Sequence, residues 1–480
     1  MTDSEQAYSA GYLEGFMTAD LIQMYWHNVV DGYCKDKDCA KFEEFIWENM
    51  QFVNSMIEKY QKTDPFWHQV MLLHQQIQGM QDGYEVASKE EVKANLFWIH
   101  VMGDTYDIAY LYNNNSLHED RDHCSGIVKP LSDGSDLFVS HNSWFTYSGM
   151  IRIVKKYNFS YHQTGEDNSP LVPSQSMAFS SYPGLIYSFD DYYITSSGLV
   201  IQETTNSNYN KTATKNFFKA DKIVFQFLRN MVANRLASNG RDWDSAYRLF
   251  NSGTYNNQFM IVDYKKFQPG TKVNQLQDGL LWVVEQMPGL IRGEDVTHVL
   301  REQGYWASYN IPYFEDIFQF SGYTDKRKKF GDFFDHEKTA RAQIFRRDHV
   351  KVTDMKSLYN LMRYNDFKND PLSRCNCTPP YSATFAIASR KDLNDPSGKY
   401  PNDLLGFRMV GATDVKMTNY QLAKNLTMVV ENGPTHVQQP VFRWSTAKDQ
   451  KVRHLGQPDK WEFPTIQVNW SPEKSQIIKL

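Results

Sequence analysis

One cysteine stands apart from the others and is the residue best placed to carry out chemistry. Cys124 follows a polar stretch, residues 113–123, and begins a short apolar run, CSGIVKP. The other four cysteines form two pairs of near neighbours: Cys34 with Cys39, and Cys375 with Cys377. Pairing within each set leaves Cys124 as the odd thiol. Two interpretations are open, a nucleophile or a small buried apolar side chain.

The residues around this thiol follow from a predicted β-hairpin. The runs CSGIVKP and DLFVSHN flank LSDGS, which has the composition of a turn. A turn centred on residues 132–135 places Cys124 opposite position 142 or 143. His141, Asn142 and Trp144 then lie beside the thiol. The sequence therefore predicts a thiol next to an imidazole at the start of a strand.

A cut between His123 and Cys124 would convert this cysteine into a self-sufficient nucleophile. The new α-amine has a reference pKa of about 7.7–8.0, so it can accept the proton of the thiol on the same residue. The thiol can make this cut itself by attacking the preceding carbonyl carbon, after which water releases the upstream segment. The polar stretch before Cys124 suits such a reaction, because an exposed loop can adopt the geometry of attack.

Composition excludes several classes of protein. The 480 residues carry a formal net charge of −5, which does not favour binding to nucleic acid. The basic run Lys326–Lys329 is bracketed by aspartates and is interpreted as a solvated face. No apolar stretch approaches 18 residues, so a membrane span is not expected. The first sixteen residues lack the charged and apolar regions of a signal peptide.

Sequons and cysteine pairs nevertheless favour the secretory route. N-x-S/T triplets begin at Asn114, Asn158, Asn210, Asn376, Asn425 and Asn469. The segment CNC has no further His or Cys at finger spacing, so no metal site is expected there.

The pattern of apolar residues predicts a layered α+β fold. Helical periodicity runs through residues 5–30, 40–60, 65–80 and 94–112, with Gly103 as a break in the last segment. Short strands follow Cys124 and continue over residues 177–205 and beyond residue 250. Two further helices are predicted, one over 221–240 with Asp221 as N-cap and Gly240 as its end, and one around 338–350.

Long segments of the sequence resemble the phospholipase B-like family, which belongs to the N-terminal nucleophile hydrolases. They include AYSAGYLEGFMTADLI, CSGIVK, SDLFVSHNSWFTYSGMIRIVKKYNF, SYPGLIYSFDDYYITSSGLVIQETTN, EQGYWASYNIPYFEDI and RAQIFRRDH. The resemblance covers essentially the whole chain. It implies a four-layer αββα sandwich and a self-cut before Cys124, which would leave residues 1–123 and 124–480 as associated pieces of one domain.

The resemblance also implies roles for individual residues. Cys124 is the nucleophile, with Gly126 standing where the family more often has Ala. His141 would orient the amine or thiol, although a purely structural hydrogen-bonding role is the alternative. Asn142 and Trp144 would line the binding pocket. Further site residues follow from three other motifs: Thr205 as a hydrogen-bond partner of the nucleophile or a plain strand-end residue, Asn310 as oxyanion donor, and Arg341 for charge balance, with Arg346 as its rival.

The activity implied by the resemblance is removal of fatty acyl groups from glycerophospholipids, without cofactor, metal or nucleic acid. The membrane surface would be contacted only transiently, and the 1–123 piece would remain a partner. A lysosomal or secreted location is expected, although the leader and the extra segment that family members carry before the first helix are not recognised in this sequence. The alternatives are an amidase acting on N-acyl lipids or peptides, and a non-catalytic relative that binds lipids or glycoproteins.

Overall fold

The computed structural model describes residues 1–34, 39–91, 93–112, 124–471 and 476–478. The helices within these ranges are α1 Asp3–Met17, α2 Ala19–Tyr25, α3 Ala40–Tyr60, α4 Pro65–Ala87, α5 Leu96–Tyr112, α6 Lys211–Phe217, α7 Gln226–Leu236, α8 Gly240–Tyr247, α9 Thr297–Gln303, α10 Glu315–Phe320, α11 Tyr323–Phe330, α12 Ala340–Asp348, α13 Met355–Met362 and α14 Tyr420–Lys424. A short π-helix, Trp26–Val30, follows α2.

The strands follow the helical N-terminal region. They are β1 Cys124–Pro130, β2 Leu137–Thr146, β3 Ile153–Asn158, β4 Ser176–Ser181, β5 Tyr192–Thr195, β6 Leu199–Thr205, β7 Asn257–Asp263, β8 Leu281–Met287, β9 Leu290–Asp295, β10 Trp306–Ser308, β11 Val410–Ala412, β12 Asp414–Thr418, β13 Val429–Asn432, β14 Phe442–Arg443, β15 Lys460–Trp461, β16 Ile466–Gln467 and β17 Gln476–Ile477.

Two large antiparallel sheets hold most of these strands. The first sheet has the order β10-β1-β2-β12-β13-β16-β17, with β11 also paired to β2, and the second runs β3-β4-β5-β6-β7-β8-β9. β1 and β2 form the predicted hairpin, with Cys124 opposite Ser143. The predicted strands over residues 177–205 correspond to β4, β5 and β6.

The two sheets stack face to face because each has an apolar inner face. Val128 and Val139 of the first sheet pack against Val200, Met260 and Val262 of the second. Gly126 lies at the closest approach, where a Cβ atom would come within 3.2 Å of the methyl carbon of Met260. This absence of a side chain lets β1 lie directly on β6 and β7.

Helices cover both outer faces and complete the four layers. Helices α3, α4, α5 and α7 pack on the outer face of the second sheet, against residues such as Phe179, Ile201 and Phe259. Helices α12 and α13 cover the outer face of the first sheet through Phe345 and Leu358. The predicted αββα sandwich is therefore confirmed.

The structure corrects three details of the predicted helices. Gly103 does not break its helix, since α5 continues through it. Asp221 does not cap a helix, because α7 begins only at Gln226, whose backbone N–H donates to Asp104 of α5 over 3.0 Å. Gly240 does not end that helix but begins α8, which is capped by Asn239.

The remaining observations concern covalent bonds, cleavage and membranes. Both predicted cysteine pairs are bonded, Cys34 with Cys39 and Cys375 with Cys377. The predicted cut, the sequon at Asn114 and the whole stretch 113–123 lie outside the described residues. Among the helices that are described, none combines the length and the apolar character needed to cross a bilayer.

Candidate active site

Cys124 is the first residue of β1 and is buried in the wall of a pocket lined by residues of α5, β1, β2 and β6 and of the segments before β5 and β7. Among the described residues it is the free cysteine. The empty space at this pocket, including the part that is open to solvent, is about 480 Å³. Its lining is mostly aromatic and comprises Gly103, Tyr106, Cys124, Ser143, Trp144, Phe145, Tyr182, Phe189, Asp190, Thr205 and Tyr255. An apolar pocket that ends on a thiol suits a ligand with a hydrophobic body and a reactive head.

Both sides of the predicted cut contribute to this pocket. Gly103 and Tyr106 belong to α5, upstream of residues 113–123, whereas the other lining residues lie downstream. A Cβ atom on Gly103 would come within 3.0 Å of the ring of Tyr255. Glycine at this position therefore allows α5 to form one wall without displacing the aromatic ring.

The backbone of Cys124 is held by two buried side chains. Its N–H donates to Oδ1 of Asn310 over 3.0 Å. Arg341 donates through Nη1 to the same Oδ1 over 2.8 Å and to the carbonyl oxygen of Cys124 over 2.5 Å. A second contact, from Nη2 of Arg341 to the carbonyl oxygen of Tyr309 over 2.6 Å, fixes the guanidinium. The first residue of β1 is thus placed by charge-assisted hydrogen bonds.

Asn310 presents its oxygen to Cys124, which differs from the expected role as oxyanion donor. Its Nδ2 donates to the carbonyl oxygen of Thr205 over 2.8 Å, so this donor is already engaged. The backbone of Asn310 adopts φ of 67°, and its N–H donates to Oγ1 of Thr204 over 3.2 Å. The contacts therefore favour a different role for Asn310, holding the nitrogen of Cys124.

His141 and one residue that the sequence analysis missed lie beside the thiol. A sulfur, an imidazole nitrogen and a carboxylate oxygen, from Cys124, His141 and Glu203, all lie within 4.8 Å of one another. We call these three residues the thiol cluster. The signal for Glu203 was present in LVIQETT, where a carboxylate interrupts an apolar strand.

Burial dominates the electrostatics of the thiol cluster. It raises the pKa of the Cys124 thiol well above its ordinary value and lowers the pKa of His141 well below its own. It also raises the pKa of Glu203, to which Asp191 and Asp190 contribute by repulsion. In the part of the chain that the structure describes, neither ring nitrogen of His141 has a side-chain hydrogen-bond partner. A backbone hydrogen bond with Glu203 opposes the effect of burial on the pKa of His141, so the structural hydrogen-bonding role stays an alternative for this residue.

A second group of ionisable side chains adjoins the first and is fully paired. Lys416 contacts Asp190 over 2.6 Å and Asp414 over 3.0 Å, and Arg152 contacts Asp414 over 3.0 Å and also Asp190. We call Arg152, Asp190, Asp414 and Lys416 the paired cluster. Against the desolvation of burial, Arg152 and Lys416 hold the pKa of Asp190 well below its ordinary range.

The other predicted residues fall into place around this site. Trp144 lines the pocket, and its ring lies 4.4 Å from the guanidinium of Arg341. Asn142 is not among the lining residues, since its amide donates to the carbonyl oxygen of Met362 over 2.7 Å and accepts from Nε1 of Trp144 over 2.8 Å. It therefore supports Trp144 rather than facing a ligand.

Thr205 lines the pocket and donates from its hydroxyl to Glu203 over 3.4 Å. Arg346, the rival of Arg341, is exposed on α12 and pairs with Glu337. It does not reach the site. The sulfur, imidazole and carboxylate of the thiol cluster also form a donor set that zinc accepts, although the expected absence of a metal stays a prediction.

The chain is similar to known proteins in both sequence and structure. A family profile described as Phospholipase B matches residues 1–468. A mouse protein named "Putative phospholipase B-like 2" is 41% identical over 98% of this chain and 80% of its own length. The "Phospholipase B-like protein B" of Dictyostelium discoideum is 38% identical over 96% of this chain and 80% of its own length.

Solved structures show weaker similarity. A Caenorhabditis elegans ortholog of N-acylethanolamine-hydrolyzing acid amidase aligns with a TM-score of 0.32 and 8% identity, over 52% of this chain and 89% of that chain. A mutant conjugated bile acid hydrolase from Clostridium perfringens aligns with a TM-score of 0.33 and 12% identity, over 64% of this chain and 89% of that chain.

Proposed function

The chain belongs to the phospholipase B family and is a hydrolase, and we propose that it deacylates glycerophospholipids through Cys124, exposed by a self-cut as an N-terminal nucleophile. One observation carries the proposal. A buried free thiol begins β1 directly after residues 113–123, and its backbone nitrogen is held by Asn310 at the end of an aromatic pocket.

The contacts of the Cys124 nitrogen suit an α-amine that acts as a base. Oδ1 of Asn310 is a hydrogen-bond acceptor, so it can orient an N–H of the amine while the lone pair stays directed elsewhere. That lone pair takes the proton of the thiol on the same residue, and the thiolate attacks the ester carbonyl carbon. The alcohol leaves with the proton, and water hydrolyses the resulting thioester. A positioned base of this kind contributes about 10²–10⁴-fold to a rate.

Arg341 supports this chemistry through charge and position. Its Nη1 lies 2.5 Å from the carbonyl oxygen of Cys124, and the side chain is buried. A fixed positive charge on this side of the site stabilises the negative oxygen that develops during attack. Substituting Arg341 by Met is therefore expected to reduce turnover.

The shape of the pocket supports an acyl substrate. Six aromatic side chains surround the thiol: Tyr106, Trp144, Phe145, Tyr182, Phe189 and Tyr255. They offer dispersion contacts to a hydrocarbon chain and few polar groups to a water-soluble substrate. Because α5 forms one wall, the 1–123 piece would have to remain bound after the cut for the pocket to persist.

N-terminal sequencing of the mature protein tests the self-cut. The proposal expects a new terminus at Cys124 in the wild type and an intact chain in Cys124→Ala. Cys124→Ser serves as a matched control, since a hydroxyl can attack the same carbonyl more slowly. A fully active protein whose bond before Cys124 is intact contradicts the proposal.

Matched lipids test the substrate class. Purified, cut protein is given a glycerophospholipid ester and an N-acyl amide with the same acyl chain. Faster release from the ester is expected. Preference for the amide makes the protein an amidase, and no release from either, together with tight lipid binding, makes it a non-catalytic relative.

A further inference from the structure

The proposed base for turnover does not exist when the chain first cuts itself. In the uncut chain the nitrogen of Cys124 is an amide, and it donates its hydrogen to Asn310 over 3.0 Å. An amide nitrogen has no basic lone pair, so it cannot take the thiol proton. The burial of Cys124 opposes spontaneous ionisation as well. A different group must accept the proton in this first reaction.

We propose that the carboxylate of Glu203, acting through the imidazole of His141, accepts the thiol proton during the self-cut, and that the α-amine replaces this pair in turnover. The inference rests on the proposed function. Its geometric basis is the thiol cluster, in which the sulfur, imidazole and carboxylate atoms lie within 4.8 Å of one another. One bridging water molecule, or a small movement of the side chains, is enough to connect atoms at such distances by hydrogen bonds.

The contacts of Glu203 preserve its basicity. Thr205 and Tyr255 reach its oxygens over 3.4 and 3.5 Å, and the amide of Asn257, with its nitrogen turned toward Glu203, donates over 3.0 Å. All three donors are neutral. Within the described ranges no lysine or arginine pairs with Glu203, in contrast to Asp190. A buried carboxylate with only neutral donors is a stronger base than one in an ion pair.

His141 is placed to pass the proton on. Neither of its ring nitrogens is engaged by another side chain in the described structure, a backbone contact with Glu203 holds the ring beside that residue, and the side chain is fully buried. A neutral imidazole can accept a proton on one nitrogen and release one from the other. The charged and titratable groups that face the His141–Glu203 pair are Cys124 from β1, Arg152 before β3, Asp190 and Asp191 before β5, Tyr255 before β7, and Lys416 from β12.

The proposed step is balanced in atoms and charge. As the sulfur attacks the carbonyl carbon of residue 123, its proton moves to His141 and the proton on the other ring nitrogen moves to Glu203. The carbonyl oxygen becomes negative as Glu203 becomes neutral. The proton then returns to the nitrogen of Cys124, the C–N bond breaks, and a thioester and a free amine form. Water hydrolyses the thioester and restores the thiol.

The first arm of the test follows self-cleavage of the full chain on gels. Glu203→Gln is expected to slow the cut by about 10²-fold or more, the contribution of one positioned base. The matched control is Glu285→Gln, another fully buried glutamate of the second sheet, whose carboxylate accepts from Gln258 over 2.6 Å. This control is expected to cut at the wild-type rate. Glu203→Asp keeps a carboxylate and is expected to restore part of the rate.

The second arm separates the self-cut from turnover. In the full chain, residues 120–123 are replaced by the factor Xa sequence Ile-Glu-Gly-Arg, so that the protease exposes Cys124 without the self-cut. In this background Glu203→Gln is expected to slow turnover by a smaller factor than it slows the self-cut, since the amine supplies the base for turnover. Equal losses in both arms overturn the inference.

The pH profile distinguishes a base from a structural residue. The self-cut of the wild type is expected to accelerate as pH rises and Glu203 ionises, while Glu203→Gln loses that rise. A wild-type chain that stays uncut contradicts the proposed function itself. A wild type and a Glu203→Gln variant that cut equally fast contradict only this inference.

Discussion

The paired cluster bonds to strand β2 and the thiol cluster includes a residue of that strand, but the two clusters satisfy their polar atoms in different ways. Ser143 accepts from Lys416 of the paired cluster over 2.6 Å, while His141, two residues earlier, has no side-chain partner for either nitrogen among the described residues. In the paired cluster two cations meet two carboxylates. The thiol cluster holds a thiol, an imidazole and a carboxyl without a counter-ion.

The difference separates positioning from reactivity. Buried ion pairs are held in place by strong interactions, so the paired cluster fixes β2, β12 and the segment before β5 relative to one another. Groups that lack a counter-ion retain their capacity to exchange protons, at a cost in stability. The molecule thus places a rigid charged group directly beside a group that is free to react.

The largest predicted effect comes from breaking the paired cluster. Asp190→Ala leaves Arg152 and Lys416 buried with one carboxylate between them, and is expected to lower the free energy of unfolding by about 3–5 kcal/mol. Denaturation in the Cys124→Ala background measures this on uncut chains. Asp278→Ala removes an exposed partner of Arg301 and serves as the control, with an expected change within about 0.5 kcal/mol. A loss below 1 kcal/mol for Asp190→Ala would show that the cluster does not position these strands.

A pair of buried histidines tests the other half of the comparison. His100 is bonded at both nitrogens, to the carbonyl oxygen of Leu96 over 2.7 Å and from the N–H of Ile186 over 3.0 Å, whereas His141 has only a backbone contact with Glu203 in the described structure. His100→Phe leaves that N–H unpaired. His100→Phe is therefore expected to lower the free energy of unfolding by about 1–3 kcal/mol more than His141→Phe does in the same denaturation experiment. Equal costs would mean that His141 has a structural bond after all.

The sequence predicts the neighbours of the thiol along its own hairpin but not those from the second sheet. The turn at residues 132–135 sets the register of β1 and β2, and the opposition of Cys124 and Ser143 follows from it. Glu203 comes from β6 of the facing sheet, and Asp190 from the segment before β5. Their approach depends on how the sheets stack, which no local pattern specifies.

The same distinction, between local patterns and contacts from distant parts of the chain, explains why the predicted start of α7 was wrong. A helix start is recognised from a capping residue just before it, but the N–H at the start of α7 is satisfied by Asp104, more than a hundred residues upstream. The role of Asn310 depends likewise on which end of its amide faces Cys124, and that is decided by the carbonyl oxygen of Thr205.

Opposite pKa shifts in the two clusters predict opposite responses to pH. Because the pKa of Glu203 is raised in the folded state, its proton stabilises the fold at pH values below the ordinary pKa of a glutamate. This stability is lost as the pH rises through the folded-state pKa. Because the pKa of Asp190 is lowered in the folded state, its charge stabilises the fold at pH values above the ordinary pKa of an aspartate. This stability is lost only in acid, as the pH falls through the folded-state pKa. Between pH 5 and 8, Glu203→Gln is therefore expected to become more stable relative to its parent, by at most about 1.4 kcal/mol per pH unit.

Melting temperatures across that range, measured in the Cys124→Ala background, test this response. Asp190→Asn is the control, because its titration lies below the range, and its curve is expected to run parallel to that of the parent. Parallel curves for Glu203→Gln as well would mean that Glu203 does not hold its proton in the folded state.

The smallest predicted effect extends the comparison to the surface of α12. Arg341 is enclosed and holds Cys124 and Asn310, whereas Arg346, five residues later, is exposed and pairs with Glu337. Because water screens such a pair, Arg346→Ala is expected to lower the free energy of unfolding by only about 0.2–1 kcal/mol, and by less in high salt. The self-cut and turnover should stay at wild-type rates. A slower cut in Arg346→Ala would mean that charge outside the buried site also affects the thiol. The contrast between the paired cluster and the thiol cluster would then not be enough to explain the reactivity of Cys124.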